Sequence, residues 1–199
     1  MHSASSEGPS TPAQPSFQEA IEISAGWLGL WESGELSDEV LADRVADLVA
    51  SRDGARGFFV VSLAGDWPLM DRLPEPLVQQ LRQAGASVVD LTARNLVMST
   101  AMALHHGRNA DPAQQAGSER VAARATELLR QLEPSLVKQR LEPLLAAALR
   151  QSEASDAAGP GPVPAPAGPV ADDLAFLERW GYDAGQRQAI AAAIEAVAD

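Results

Sequence analysis

The chain has no cysteine and a single lysine, Lys138, and aromatic residues make up only 5% of it. Without cysteine there are no disulfides, no thiolate nucleophile and no cysteine-ligated metal, and a reducing interior is the natural compartment. The one lysine follows no glycine-rich turn, and Gly54-Ala55-Arg56-Gly57 fits neither the Walker nor the dinucleotide pattern, so nucleotide use is disfavoured. No apolar run approaches the roughly 20 residues of a membrane span. Met1 to Pro15 lacks both the basic start and the apolar stretch of a secretory signal. A formal charge of −12 disfavours nucleic acid and anionic membranes as partners, because both are bound through basic surface. The expectation is an acidic, soluble, cytoplasmic protein.

What is present is aliphatic and rich in alanine, and its β-branched residues rarely alternate with polar ones. That composition favours helix-on-helix packing over a sheet. The chain reads as an all-α helical bundle with appendages: a disordered N-terminal tail (1–15, where His2 is inert), a helical domain (16–152), a Pro/Ala/Gly-rich linker (153–170) and a small C-terminal helical hairpin (171–199).

Within the domain, Ser16 and Glu19 have capping-box spacing. They open a helix with Ile21, Ala25, Leu28 and Trp31 on adjoining rows, ending at Ser33-Gly34. Ser37 caps a second helix, whose expected buried stripe is Val40, Leu41, Val45, Leu48 and Val49. Gly57 to Leu63 is a short apolar run that periodicity alone does not assign. A helix is favoured over a strand paired with Ala86 to Leu91, since a lone two-stranded sheet is poorly stabilised. Pro76 suits the first turn of the next helix. A central helix, capped by Asp90 or Thr92, runs through Leu91, Asn95, Met98, Met102 and His105 to Gly107. A polar loop at Asp111-Pro112 leads to a helix opening near Gly117-Ser118, with Val121, Ala125, Leu128, Leu129 and Leu132 inward. Ser135 restarts the pattern through Val137, Leu141, Leu144, Leu145 and Leu149, with a kink or split expected at Pro143. In the hairpin, Gly181 permits the reversal, and Asp183 with Gln186 caps the last helix.

No catalytic motif emerges. His105 and His106 are adjacent on a helix and point about 100° apart, so they do not share a metal easily, and a helix C-terminus suits cationic imidazoles. Neither Ser99 nor Ser118 sits in a glycine-flanked elbow. The paired carboxylates Asp38-Glu39 and Asp172-Asp173 lie at helix starts, where capping explains them. No metal and no cofactor is expected. Arg94, Asn95, His106, Arg108, Asn109, Arg120 and Arg124 form the candidate contact set for an anion or an acidic partner. Arg120 and Arg124 share a helix face, and a solvated face balanced by Glu119 and Glu127 is the favoured reading of it. Phe176, Trp180 and Tyr182 belong to a segment too small to bury them alone, so they are the candidate docking residues, either for a partner or for the chain's own domain.

Three segments carry a resemblance: Ala55 to Leu63 (ARGFFVVSL), Asn95 to Asn109 (NLVMSTAMALHHGRN), and Gly117 to Arg124. Over about Trp27 to Leu132 the chain resembles a family of small uncharacterised proteins found in cyanobacteria. The resemblance implies no activity, but it draws attention to Asn95, His106, Arg108 and Asn109. A structural tie between His106 and Asn109 across the helix turn would suffice for that pair. The function expected is a non-enzymatic interaction or accessory protein, working through helical surfaces and the tethered hairpin on an unidentified protein partner. A small enzyme or anion-ligand binder using His105 to Arg124 is the alternative, and local nucleic-acid contact by the arginine face a weaker one. Oligomeric state is not legible.

Overall fold

A computed structural model of the chain describes residues 14–156 and 167–198. All but the last two residues of the expected tail, and the middle of the expected linker, lie outside the described residues. The described residues form helices α1 (Phe17–Glu32), α2 (Asp38–Val49), α3 (Arg52–Ala64), α4 (Glu75–Gln83), α5 (Ala86–Arg108), α6 (Pro112–Gln131), α7 (Pro134–Asp156), α8 (Pro169–Arg179) and α9 (Ala184–Glu195), with a 3-10 turn at Pro68–Asp71 and no strand. The all-α expectation holds, and so does the helical reading of Gly57 to Leu63. They fall into two compact units that part between Leu91 and Thr92, within α5. The C-terminal hairpin, α8 and α9, falls within the second unit.

In the first unit, α1 and α2 both pack on α3, and α4 packs on α2. The Ser16–Glu19 capping box forms in full, and Ser37 and Ser51 accept from the third amides of α2 and α3. The buried row of α1 is Ala20, Ile23, Ser24, Trp27 and Leu28, while Ile21, Ala25 and Trp31 are only half-buried. That row is set by α3: a Cβ on Gly57 would lie 2.5 Å from the Ala20 Cβ and 2.9 Å from the Ile21 nitrogen. The absent side chain lets the two backbones approach closely. Trp31 instead donates its indole N–H to Asp38 at 2.7 Å. Val40 is exposed, so the stripe of α2 is Leu41, Ala42, Val45, Leu48 and Val49.

Along α5 and through the second unit the expected boundaries shift. Helix α5 begins at Ala86, so Asp90 and Thr92 lie inside it and not at its start. Its buried row includes Val89, Ala93, Leu96, Val97 and Ala101, and Met102 is exposed. Helix α6 opens at Pro112, with Asp111 accepting from the Gln114 amide, so what reads as a loop is a cap followed by a first-turn proline. The turn before it places Ala110 at φ 54. Helix α7 is continuous through Pro143 and runs to Asp156, and α8 begins at Pro169; both intrude on the expected linker. Leu149 is exposed, and Ala147 and Ala148 are buried in its place.

Two substitutions check this packing by thermal denaturation. Gly57→Ala should destabilise by about 1–3 kcal/mol, because overpacking outweighs the helix propensity gained. Gly117→Ala, where a Cβ meets nothing within 4 Å inside α6, should stabilise by up to about 1 kcal/mol.

Candidate functional site

The polar residues of the second unit converge on the hairpin. Arg140 on α7 and Asp173 on α8 form two parallel hydrogen bonds of 2.8 Å each. Their side chains are only 16% and 4% exposed, so this is a charge pair taken out of water. Arg108, at the end of α5, pairs with Asp183 at the start of α9, with both side chains about half exposed. Arg94 lies over the Phe176 ring, 4.8 Å from its centre. Arg130 on α6 holds Glu127 and donates to the Ala196 carbonyl, each at 2.6 Å. Arginines from α5, α6 and α7 thus each meet a complementary group on the hairpin.

The hairpin is shaped to receive them. Gly181, at φ 63, turns the chain between α8 and α9. Asp183 and Gln186 form the expected capping box. Gln186 also donates to the Ala101 carbonyl of α5 at 3.0 Å, so one side chain caps α9 and anchors it. A Cβ on Gly185 would lie 2.5 Å from an Arg108 guanidinium nitrogen. Glycine there leaves room for the ion pair. The Arg108 hydrogen bond, then the Gln186 amide, hold the Asp183 carboxyl below its ordinary value. Because the folded value is depressed, this contribution is present above the ordinary pKa near 3.8 and is lost as pH falls through the folded value. Arg187 is buried, donates from Nε to the Tyr182 carbonyl at 3.1 Å, and leaves Nη1 with no hydrogen-bond partner. Burial lowers its pKa, against the pull of Glu178. Burial also pushes the Tyr182 hydroxyl up to about 12.

The expected site residues are thus dispersed in role. Arg94, Arg108 and Phe176 take part in contacts between the hairpin and α5, with Phe176 half-buried, and Tyr182 is buried. Trp180 is 52% exposed. The side-chain tie across the turn at the end of α5 joins Asn109 to His105, with Nδ2 and Nε2 3.0 Å apart, and the tie to His106 is through the backbone. His106 contributes its carbonyl, which accepts from Asn109 and Asp111. Arg124 is buried while Arg120 is exposed, so the two do not make one solvated face. Asn95 is half-buried on α5. The two histidine rings meet edge to face at 5.6 Å, and among the described residues no three His, Asp or Glu are grouped to hold a metal. Sequence reasoning missed Arg140, Asp173 and Arg187. The signal was there: Arg140 stands within the Val137, Leu141, Leu144 stripe, Arg187 within the Ile190, Ala191, Ile194 stripe, and Asp173 one turn before Leu177.

Below these ties, the end of α9 and the facing parts of α6 and α7 leave a groove of about 810 Å³. Leu129, Val137, Leu141, Leu145, Ile194 and Val197 line it. Its charged members come in balanced signs, Arg130 and Lys138 against Glu142 and Glu195.

A family model described as "Uncharacterised conserved protein UCP020893" matches residues 16–158. The chain belongs to this family. The family has no assigned activity. The match runs from the α1 cap to just past α7, so the family segment supplies the docking arginines and the hairpin lies beyond it. No curated protein and no solved structure matches the chain.

The two ion pairs should differ in weight. Arg140→Met leaves a buried carboxylate uncompensated and should cost about 3–5 kcal/mol of hairpin stability. Arg108→Met should cost about 1 kcal/mol or less, because its pair is solvent-screened. Amide exchange of residues 169–198 would report both; equal losses would contradict the burial argument.

Proposed function

We propose that this protein is a non-enzymatic interaction or accessory protein that works through the helical surface where its C-terminal hairpin meets α6 and α7. The observation that carries this reading is the groove: its lining is aliphatic, its charges are balanced, and it holds no cluster of titratable groups suited to acid–base or nucleophilic work. A groove of this kind suits the apolar face of a partner helix. Trp180, exposed on the same hairpin, adds an aromatic of the type that dominates docking energetics. The runner-up, an anion-ligand site at His105 to Arg124, has less support, because Arg108 already carries its counter-ion and Arg124 is buried. Local nucleic-acid contact has less still, for the same arginines would have to serve it. No described helix is long and apolar enough to cross a membrane. A cytoplasmic setting and a cyanobacterial source, suggested by the cysteine-free sequence and by the resemblance over Trp27 to Leu132, complete the proposal.

The test is retention of a stoichiometric partner from source-organism lysate by the immobilised full chain, set against Leu145→Lys. Leu145 is half-buried on the groove wall, so the variant should keep its fold while losing the partner. Equal retention by both, or none by either, would count against the reading. Stabilisation of the chain by inorganic phosphate or a dicarboxylate would favour the ligand alternative instead.

A further inference from the structure

The groove beneath the seated hairpin has a projecting neighbour on the same face of α7. Successive residues of a helix advance by about 100°, so Lys138, Glu142, Leu145 and Leu149 fall within about 60° of one another. The first three line the groove, and Leu149, one turn further on, lies outside it and is 43% exposed. One strip of α7 therefore carries both a hollow and an aliphatic projection. The two are evenly placed. Leu141 in the hollow and Leu149 beyond it each stand four residues from Leu145, about 6 Å along the helix.

Ile194 and Val197, near the end of the hairpin, form the opposite wall. The chain's own hairpin thus frames the groove and does not fill it. On the rim, Lys138 faces Glu142 at 3.7 Å, and Arg130 is held by Glu127 and the Ala196 carbonyl. Neither rim cation calls for an anionic occupant. What the hollow fits is aliphatic surface.

An unrelated helix seated there would leave Leu149 in water. A second copy of the chain would not. When two α7 helices run antiparallel about a two-fold axis at Leu145, the residue four positions after Leu145 in one copy meets the residue four before it in the other. Each Leu149 then enters the other copy's groove beside Leu141, and each contact is made twice. Charge agrees with this pairing. The whole chain carries −12 and repels its own copies, whereas the rim bears two charges of each sign, Arg130 and Lys138 against Glu142 and Glu195. We propose that two copies of the chain pair through α7 about a two-fold axis at Leu145, each hairpin staying on its own α7 and each Leu149 filling the other copy's groove. The proposal rests on the interaction reading above and names its partner.

The absence of cysteine makes the test direct. Leu145→Cys places one thiol on the axis, and mild oxidation of the full chain should link two copies through it. The exposed Val60→Cys on α3 should link far more slowly. Light scattering over a concentration series should show the unaltered chain as a dimer, and Leu149→Lys should raise its dissociation constant at least about tenfold. Leu149 is exposed in the single chain, so this variant keeps its fold, which circular dichroism checks. A monomer at every concentration up to about a millimolar would overturn the proposal. So would a dimer that Leu149→Lys leaves intact, or one that Leu145→Cys links no faster than Val60→Cys does, because the copies would then meet through another face. If the chain is monomeric while Leu145→Lys still loses a different protein, the interaction reading stands and only the second copy is removed as the partner.

Discussion

The buried pair between Arg140 and Asp173 constrains everything around it. Each charge, taken alone, would lose several kcal/mol of hydration on burial. Two parallel 2.8 Å hydrogen bonds offset that loss only while the partners stay face to face. Neither α7 nor α8 can slide or rotate against the other without leaving a carboxylate or guanidinium stranded out of water. An apolar contact of equal area would tolerate such slippage. The pair therefore fixes register more than it adds stability, and the half-exposed Arg108–Asp183 pair fixes the other end of the hairpin at low energetic weight.

With register set at both ends, the apolar residues between them have one arrangement to adopt. Leu177, Ile190, Ala191 and Ile194 are buried in the second unit along with Leu129, Leu141, Leu144 and Ala148. Gln186 reaches the Ala101 carbonyl only because α9 starts where Asp183 caps it. The groove at the far end is what remains where α9 runs out, between Ile194 and Val197 on one side and Leu141 and Leu145 on the other. Docking chemistry and the proposed interaction surface are in this sense one feature: the same arginines that seat the hairpin decide where its end leaves apolar surface uncovered.

Sequence reasoning succeeded where the deciding partner lies within a turn. The caps at Ser16, Ser37 and Asp183 rest on side chains three residues from the amides they serve, and each forms as read. It failed where the partner is remote. Arg140 meets Asp173 across 33 positions and Arg108 meets Asp183 across 75, and no local spacing encodes either. Asp173 was read as a helix-start carboxylate because that role needs no distant partner. Val40 and Leu149 were placed inside because they adjoin the apolar rows, yet each helix buries the row its neighbour selects. The start of α6 is a different case. Asp111-Pro112 is a helix-start signal in its own right, and its reading as a loop undervalued the proline. The candidate site was legible as a list of arginines, and their common purpose was not, since it depends on a hairpin that follows them in the chain.

The central claim, that the hairpin is seated with its inner face out of water, has a built-in reporter. Tyr182 is the only tyrosine in the chain, and it is buried at the turn between α8 and α9. Ultraviolet absorbance of tyrosinate, followed through a rapid alkaline titration of the full chain, reads its ionisation directly. A seated hairpin keeps the phenol neutral until about pH 12. Ionisation near the ordinary value of 10 would mean that the hairpin stands away from α7, and would contradict the account.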